Sequence, residues 1–207
     1  MIAIIDYGAG NLQSVEKALR HLECPCRITA GPDALMAAEA AILPGVGAFG
    51  DTMENLRARG LEGPIKAYIE SGRPFLGICL GLQVLFESSE ESPGVPGLGV
   101  LKGKILRLPE GAGLKIPHIG WNSLEVQKPG GLLAGLGDGP YVYFVHSYYL
   151  RAEEDVVTAT AGYGAQIHAA VQKGNLWACQ FHPEKSGEVG LRMLQNFVDL
   201  AAGEAQK

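Results

Sequence analysis

Residues 1–5 open the chain with an uninterrupted apolar run, and residues 40–43 and 75–78 repeat it. Runs this short and this apolar mark strands covered on both faces. Residues 26–30 read as one more strand between the first two runs. The segments between them change period: Val15, Ala18, Leu19 and Leu22 recur at i, i+3, i+4 and i+7, the stripe of an amphipathic helix. A second helix runs through Leu56, a third spans residues 61–70, and a fourth starts at Leu80. Strands alternating with helices predict βαβ units and a parallel sheet, with ligands beyond the carboxyl ends of its strands.

The pattern shifts in the second half. Strands are predicted at residues 100–108, 141–146, 156–160, 168–172 and 176–181, with turns between them. A last helix, 187–202, carries Met193, Leu194, Phe197, Val198 and Ala201 on one face. The expected fold is α/β in three layers: a mostly parallel central sheet, flanking helices, and additional antiparallel strands in the second half. No linker or internal repeat divides it, so residues 1–207 are expected to form one domain.

Composition narrows the function classes. With 47% apolar and 19% charged residues, the chain has no disorder signature. A net charge of −5 leaves no basic footprint for nucleic acid. No apolar run approaches the ~18 residues of a membrane span. The four cysteines, Cys24, Cys26, Cys79 and Cys179, contain no C-x-x-C pair and are too few for a disulfide framework. With no signal peptide evident, they point to the reducing cytoplasm.

Chemistry concentrates in a few places. Gly77-Ile78-Cys79-Leu80-Gly81 joins an apolar strand to a helix with the G-x-nucleophile-x-G spacing of a tight elbow. Glycines stand two residues either side because side chains there would collide. A thiol so placed faces the start of a helix, whose dipole favours the thiolate. Such a nucleophile needs a base. Of the five histidines, His21 and His168 have no special context. His182, in Gln180-Phe181-His182-Pro183-Glu184, follows a strand end with a carboxylate two residues on, a base with its orienting group. Two glycine-rich turns also follow strands. The one at residues 6–11 lacks the third glycine and the lysine of a phosphate loop. The other, residues 44–49, ends the third strand and is expected to share a cleft with Cys79. The acidic stretch 87–99 reads as a solvated loop.

Gly77-x-Cys79-x-Gly81 with Gln83, and Phe181-His182-Pro183-Glu184, resemble the class I (triad-type) glutamine amidotransferases, and the resemblance runs over nearly the whole chain. Four further stretches are similar to one branch, the glutaminase subunits of imidazole glycerol phosphate synthases. They are Asp6-Tyr7-Gly8-x-Gly10-Asn11, Pro44-Gly45-Val46-Gly47-Ala48-Phe49, Pro117-His118-Ile119-Gly120-Trp121-Asn122 and Tyr143-Phe144-Val145-His146-Ser147-Tyr148. The resemblance implies a flavodoxin-like sheet and a Cys79, His182 and Glu184 triad that works without metal or cofactor. It implies that Gly45, Val46, Gly47, Leu80, Gln83, Glu91, His146, Ser147 and Tyr148 hold glutamine and the oxyanion. It also implies a heterodimer with a (β/α)8-barrel cyclase subunit, met through Asn11, Trp121, Asn122, Tyr143 and Lys185. Two other classes remain open on the residues alone: a glutaminase of another amidotransferase or a free-standing γ-glutamyl cysteine hydrolase, and a silent binding module on the same fold.

Overall fold

Buried apolar strands leave water only by pairing and being covered, and the chain does this in sequence order. The computed structural model describes residues 1–111 and 113–203. In it β1 (Ile2–Ile5), α1 (Leu12–His21), β2 (Cys26–Thr29), α2 (Pro32–Met36), β3 (Ala40–Gly45), α3 (Phe49–Ala58), α4 (Glu62–Glu70) and β4 (Phe75–Cys79) alternate. One turn of helix follows, α5 (Leu80–Gln83), and then a mostly extended half: β5 (Ser88–Ser89), β6 (Gly103–Arg107), β7 (His118–Ser123), β8 (Glu125–Val126), β9 (Tyr141–His146), β10 (Tyr148–Ala152), β11 (Val157–Gly162), β12 (Gln166–Lys173) and β13 (Leu176–Cys179). Helix α6 (Gly187–Ala201) is the last element.

The central sheet has eight strands in the order β2-β1-β3-β4-β13-β12-β11-β8. Its first five are parallel to one another, and β12, β11 and β8 extend it antiparallel. Strand period 2 explains why the apolar runs are continuous: Ile2 and Ile4 face a core shared with α1 and α6, while Ala3 and Ile5 face the core under α2, α3 and α4. Three layers result, as the periodicity predicts. A three-stranded sheet, β10-β6-β5, and a two-stranded antiparallel ribbon, β7-β9, are inserted between β4 and β13.

Three expectations need correction. Strands β5, β7, β8 and β10 and helix α2 carry no clear period in the sequence and go unpredicted. The helix after Cys79 is only four residues long, so its dipole is smaller than a full helix would supply. The acidic stretch is not simply solvated: Glu87 accepts from the Gly103 N–H at 3.0 Å and Glu90 from the Arg107 N–H at 2.8 Å, tying the loop to β6. Among the described residues, no helix is long and apolar enough to cross a membrane.

Candidate active site

The neighbours β3, β4 and β13 run parallel, with Gly45 in register with Cys79 and Cys179 with Ile78. Their carboxyl ends therefore bring three loops to one edge of the sheet. At the centre Cys79 takes φ 55° and ψ −109°, a left-handed conformation that costs a non-glycine residue about 1–3 kcal/mol. The turn is also sterically closed: a Cβ on Gly77 would lie 2.7 Å from the Gly81 carbonyl oxygen, and one on Gly81 would overlap that of Leu43. The elbow therefore requires glycine at both positions for lack of space.

The Cys79 side chain is buried to 7% exposure. Its Sγ lies 4.0 Å from the Val145 carbonyl, which can accept the thiol hydrogen, and 3.7 Å from Gln180 Nε2. His182 is buried at the end of the strand that carries Cys179. Its backbone N–H donates to the Tyr143 carbonyl at 2.9 Å, and its carbonyl accepts from Ser186 Oγ at 2.6 Å, so the residue is clamped from both sides. Nδ1 meets Glu184 Oε1 at 2.8 Å. A carboxylate there only accepts, which places the ring hydrogen on Nδ1 and leaves Nε2 as the nitrogen for the thiol. That Nε2 and Glu184 Oε2 are both buried without a completed hydrogen bond. Burial would lower the His182 pKa, but the nearby Cys79 sulfur and the hydrogen-bonded Glu184 carboxylate outweigh it and raise it to about 9. The arrangement favours an imidazolium beside the sulfur at neutral pH.

Cys79 and His182 open onto a cavity of about 430 Å³, lined also by Val46, Gly47, Leu80, Gln83, Glu91, Pro117, Val145, His146, Ser147, Tyr148 and Lys185. The structure thus gathers every predicted glutamine-pocket residue except Gly45. That residue lies behind the wall, where a Cβ would come within 2.8 Å of both Leu80 Cβ and the Tyr7 hydroxyl. Glu91 Oε2 accepts from the Phe49 N–H at 2.8 Å, fixing the acidic loop to the start of α3. Gln83 Nε2 is committed to the Tyr148 carbonyl at 2.9 Å and to Gln180 Oε1 at 3.0 Å. Of the predicted interface residues, Trp121 is 54% exposed and meets Tyr143 edge-on at 6.1 Å. Asn122 Nδ2 donates to the Gly162 carbonyl and Asn11 Oδ1 accepts from Ser14 Oγ, so both are held locally. Lys185 reaches the cavity itself.

Sequence reasoning missed three residues at this site. Gln180 is fully buried between Gln83 and Cys79; two residues before His182, it had only the spacing of a shared strand face to mark it. Tyr7 is fully buried against Gly45 with no completed hydrogen bond at its hydroxyl. Its pKa is pushed up to about 12, chiefly by burial, against the opposing effect of Thr52 and the Val46 backbone. His118 Nδ1 lies 3.0 Å from His146 Nε2, and His146 Nδ1 lies 2.9 Å from the Tyr148 carbonyl. Because that carbonyl only accepts, His146 carries its hydrogen on Nδ1 and receives one from His118. Burial lowers the two pKa values to about 4 for His118 and about 3 for His146, so both rings are neutral.

Comparison with known proteins follows the same lines. The sequence matches the family "Glutamine amidotransferase class-I" over residues 3–200. It is 52% identical over 207 residues to "Imidazole glycerol phosphate synthase subunit HisH" of Moorella thermoacetica, covering 99% of this chain and 98% of that one. The protein of the same name from Methanothermobacter thermautotrophicus is 51% identical over 200 residues, covering 97% and 98%. Among solved structures, a glutamine amidotransferase superposes with a TM-score of 0.76 at 23% identity, covering 98% of this chain and all of that one. PurLQS from Thermotoga maritima gives a TM-score of 0.76 at 22% identity, covering 96% and 97%. These two likenesses concern the fold.

Proposed function

The chain belongs to the class-I glutamine amidotransferases, and from that premise we propose that it hydrolyses L-glutamine as the glutaminase subunit of an imidazole glycerol phosphate synthase. Cys79 attacks the side-chain amide carbon, and the carbonyl electrons move onto oxygen. The Leu80 N–H and the backbone of residues 45–47 are the donors for that oxyanion; one such donor is typically worth about 10²–10³ in turnover. Collapse expels ammonia, protonated by His182, and leaves a γ-glutamyl thioester. His182 then takes a proton from water, which attacks the thioester and releases glutamate and the thiol. Glu184 orients the imidazole and offsets its charge. Glutamine and water go in; glutamate and ammonia come out.

Gln83, Glu91 and the 146–148 loop hold the amino-acid end of glutamine in the cavity. The ammonia passes to a (β/α)8-barrel cyclase subunit, which makes imidazole glycerol phosphate and aminoimidazole carboxamide ribotide; the lyase step is the partner's. Residues 1–207 act as one glutaminase domain, which the continuity of a single sheet from β2 to β8 supports. Four free thiols suit the cytoplasm.

The observation that carries this reading is the pairing of His182 with Glu184 at 2.8 Å beside a cysteine strained onto the same cavity. Its test is ammonia release from saturating glutamine with the cyclase subunit present. Cys79→Ala is expected to abolish release while synthesis driven by added ammonia survives. Release near the wild-type rate overturns the assignment. Full-rate turnover by the isolated wild-type chain makes it a free-standing hydrolase instead.

A further inference from the structure

Behind the cavity a chain of amides ends on the nucleophile, and its polarity is fixed from one end. The Tyr148 carbonyl can only accept, so the Gln83 amide must present Nε2 to it, at 2.9 Å. The second hydrogen of that same Nε2 points to Gln180 at 3.0 Å, so Gln180 must present its oxygen. Gln180 is then left with its Nε2 toward Cys79 Sγ, at 3.7 Å. Reversing either amide would set donor against donor or acceptor against acceptor inside a fully buried site, where Gln180 is 0% and Gln83 4% exposed. The Gln180 backbone N–H is also bonded, to the Ala169 carbonyl at 2.9 Å, so the residue cannot drift from its place beside β12.

We propose that Gln180 is a positioning residue for the nucleophile: it donates a hydrogen bond to the Cys79 sulfur, favouring the thiolate, and its orientation is set by the Tyr148 carbonyl of the glutamine pocket through Gln83. The short helix after Cys79 contributes only a small dipole, which gives the donated N–H more of this task. The sulfur sits among three groups of distinct roles: the Val145 carbonyl accepts the thiol hydrogen, His182 takes it, and Gln180 holds the sulfur left behind. The chain also links substrate loop and sulfur, since a shift of the Tyr148 carbonyl releases Gln83 and with it the orientation of Gln180.

This inference rests on Cys79 being the nucleophile, and its test reads the sulfur whether or not glutamine is the substrate. Gln180→Leu keeps the volume and removes the donor. Gln180→Glu keeps the acceptor toward Gln83 but turns an anionic oxygen on the sulfur. Iodoacetamide labelling of Cys79, followed across pH against a Cys79→Ser blank, is expected to slow at pH 7 by at least about fivefold in the leucine variant and further in the glutamate variant. The onset of reactivity is expected to move to higher pH in both. In complex with the cyclase subunit, kcat for glutamine is expected to fall with little change in KM. An unchanged labelling profile in a folded variant reduces Gln180 to packing and overturns the proposal. Should neither variant fold, the wild-type chain decides. The Gln180 side-chain amide resonances are expected to shift with the onset of Cys79 reactivity and to stay still in Cys79→Ser, and resonances that do not respond to the sulfur overturn the proposal equally.

Discussion

Two charges and a strained turn govern the residue scale. Cys79 and Glu23 are the only non-glycine residues at positive φ among those described. At Cys79 the strain accompanies an elbow too tight for side chains at 77 and 81, which is why the spacing of the two glycines made the nucleophile legible. His182 and Glu184 were legible for the same reason, as a short motif whose geometry is local. Gln180 was not, because a buried polar residue between two others is defined by contacts across the sheet rather than by neighbours in sequence. The raised pKa of His182 carries a prediction. A folded value of about 9 against an unfolded one near 6.5 means that its contribution to stability is fully present below about pH 6.5 and is lost as pH rises through 9. Glu184→Gln removes one of the two partners that raise the value. The His182 titration, followed by its imidazole resonances, is therefore expected to move to lower pH, and turnover at pH 8 to fall about 10²-fold or more. Combined with His182→Ala, the losses are expected to fall well short of additive, as for groups acting as a unit. Full additivity would put Glu184 to work elsewhere.

At the scale of elements, legibility follows how a segment is buried. β1, β3 and β4 lie under helices on both faces and read directly from their apolar runs. Strand β7 of the β7–β9 ribbon inverts the rule, while β9 keeps it. In β7 the buried residue is His118, while Ile119 and Trp121 stand 59% and 54% exposed, so the strand has no apolar inner face for a pattern to reveal. What holds it is polar: the His118–His146 bond, with Tyr163 and Phe144 stacked on His118 at 3.8 and 4.7 Å. This clamp works only with neutral rings. Both histidines have folded pKa values below the unfolded one, so between about pH 6.5 and 4 the unfolded chain binds protons that the native chain refuses. Stability is thus expected to fall as pH drops through that window, the pair contributing on the order of 4 kcal/mol between pH 7 and 5. With His182 acting in the opposite sense above pH 6.5, the maximum belongs near neutrality. Urea unfolding at both pH values checks it. His118→Leu is expected to start less stable, since it leaves the His146 acceptor unpaired, yet to lose less on acidification. An acid dependence equal to the wild type's would show that the pair does not titrate as argued.

The ribbon's outward face matters at the scale of the whole molecule. Antiparallel register pairs Trp121 with Tyr143 and Ser123 with Tyr141, so Ile119, Trp121, Tyr141 and Tyr143 lie on one side, and three of the four are more than half exposed. An apolar face of this kind, next to a cavity that Pro117 and Lys185 also line, suits the surface on which a partner would seat. Ammonia released into water is protonated, so a subunit working at full rate alone would waste glutamine. Low activity in isolation and at least tenfold stimulation by the cyclase subunit with a substrate analogue are therefore expected. The means lies at the turn after β3. Gly47 holds φ 105° where a Cβ would meet nothing within 4 Å, and Val46 beside it is 38% exposed on the cavity wall; rotation of the peptide between them is the gate this turn is expected to supply. Two substitutions separate docking from gating. Trp121→Ala is expected to weaken the complex about 30-fold or more, as loss of a central aromatic anchor does. At saturating partner its stimulated turnover should recover. Gly47→Ala meets no clash but disfavours the left-handed backbone. It is expected to leave affinity nearly intact while blunting stimulation. If Gly47→Ala is stimulated as fully as wild type, the turn is merely a connection and the stimulus reaches Cys79 another way, with the Tyr148–Gln83–Gln180 chain as the alternative route.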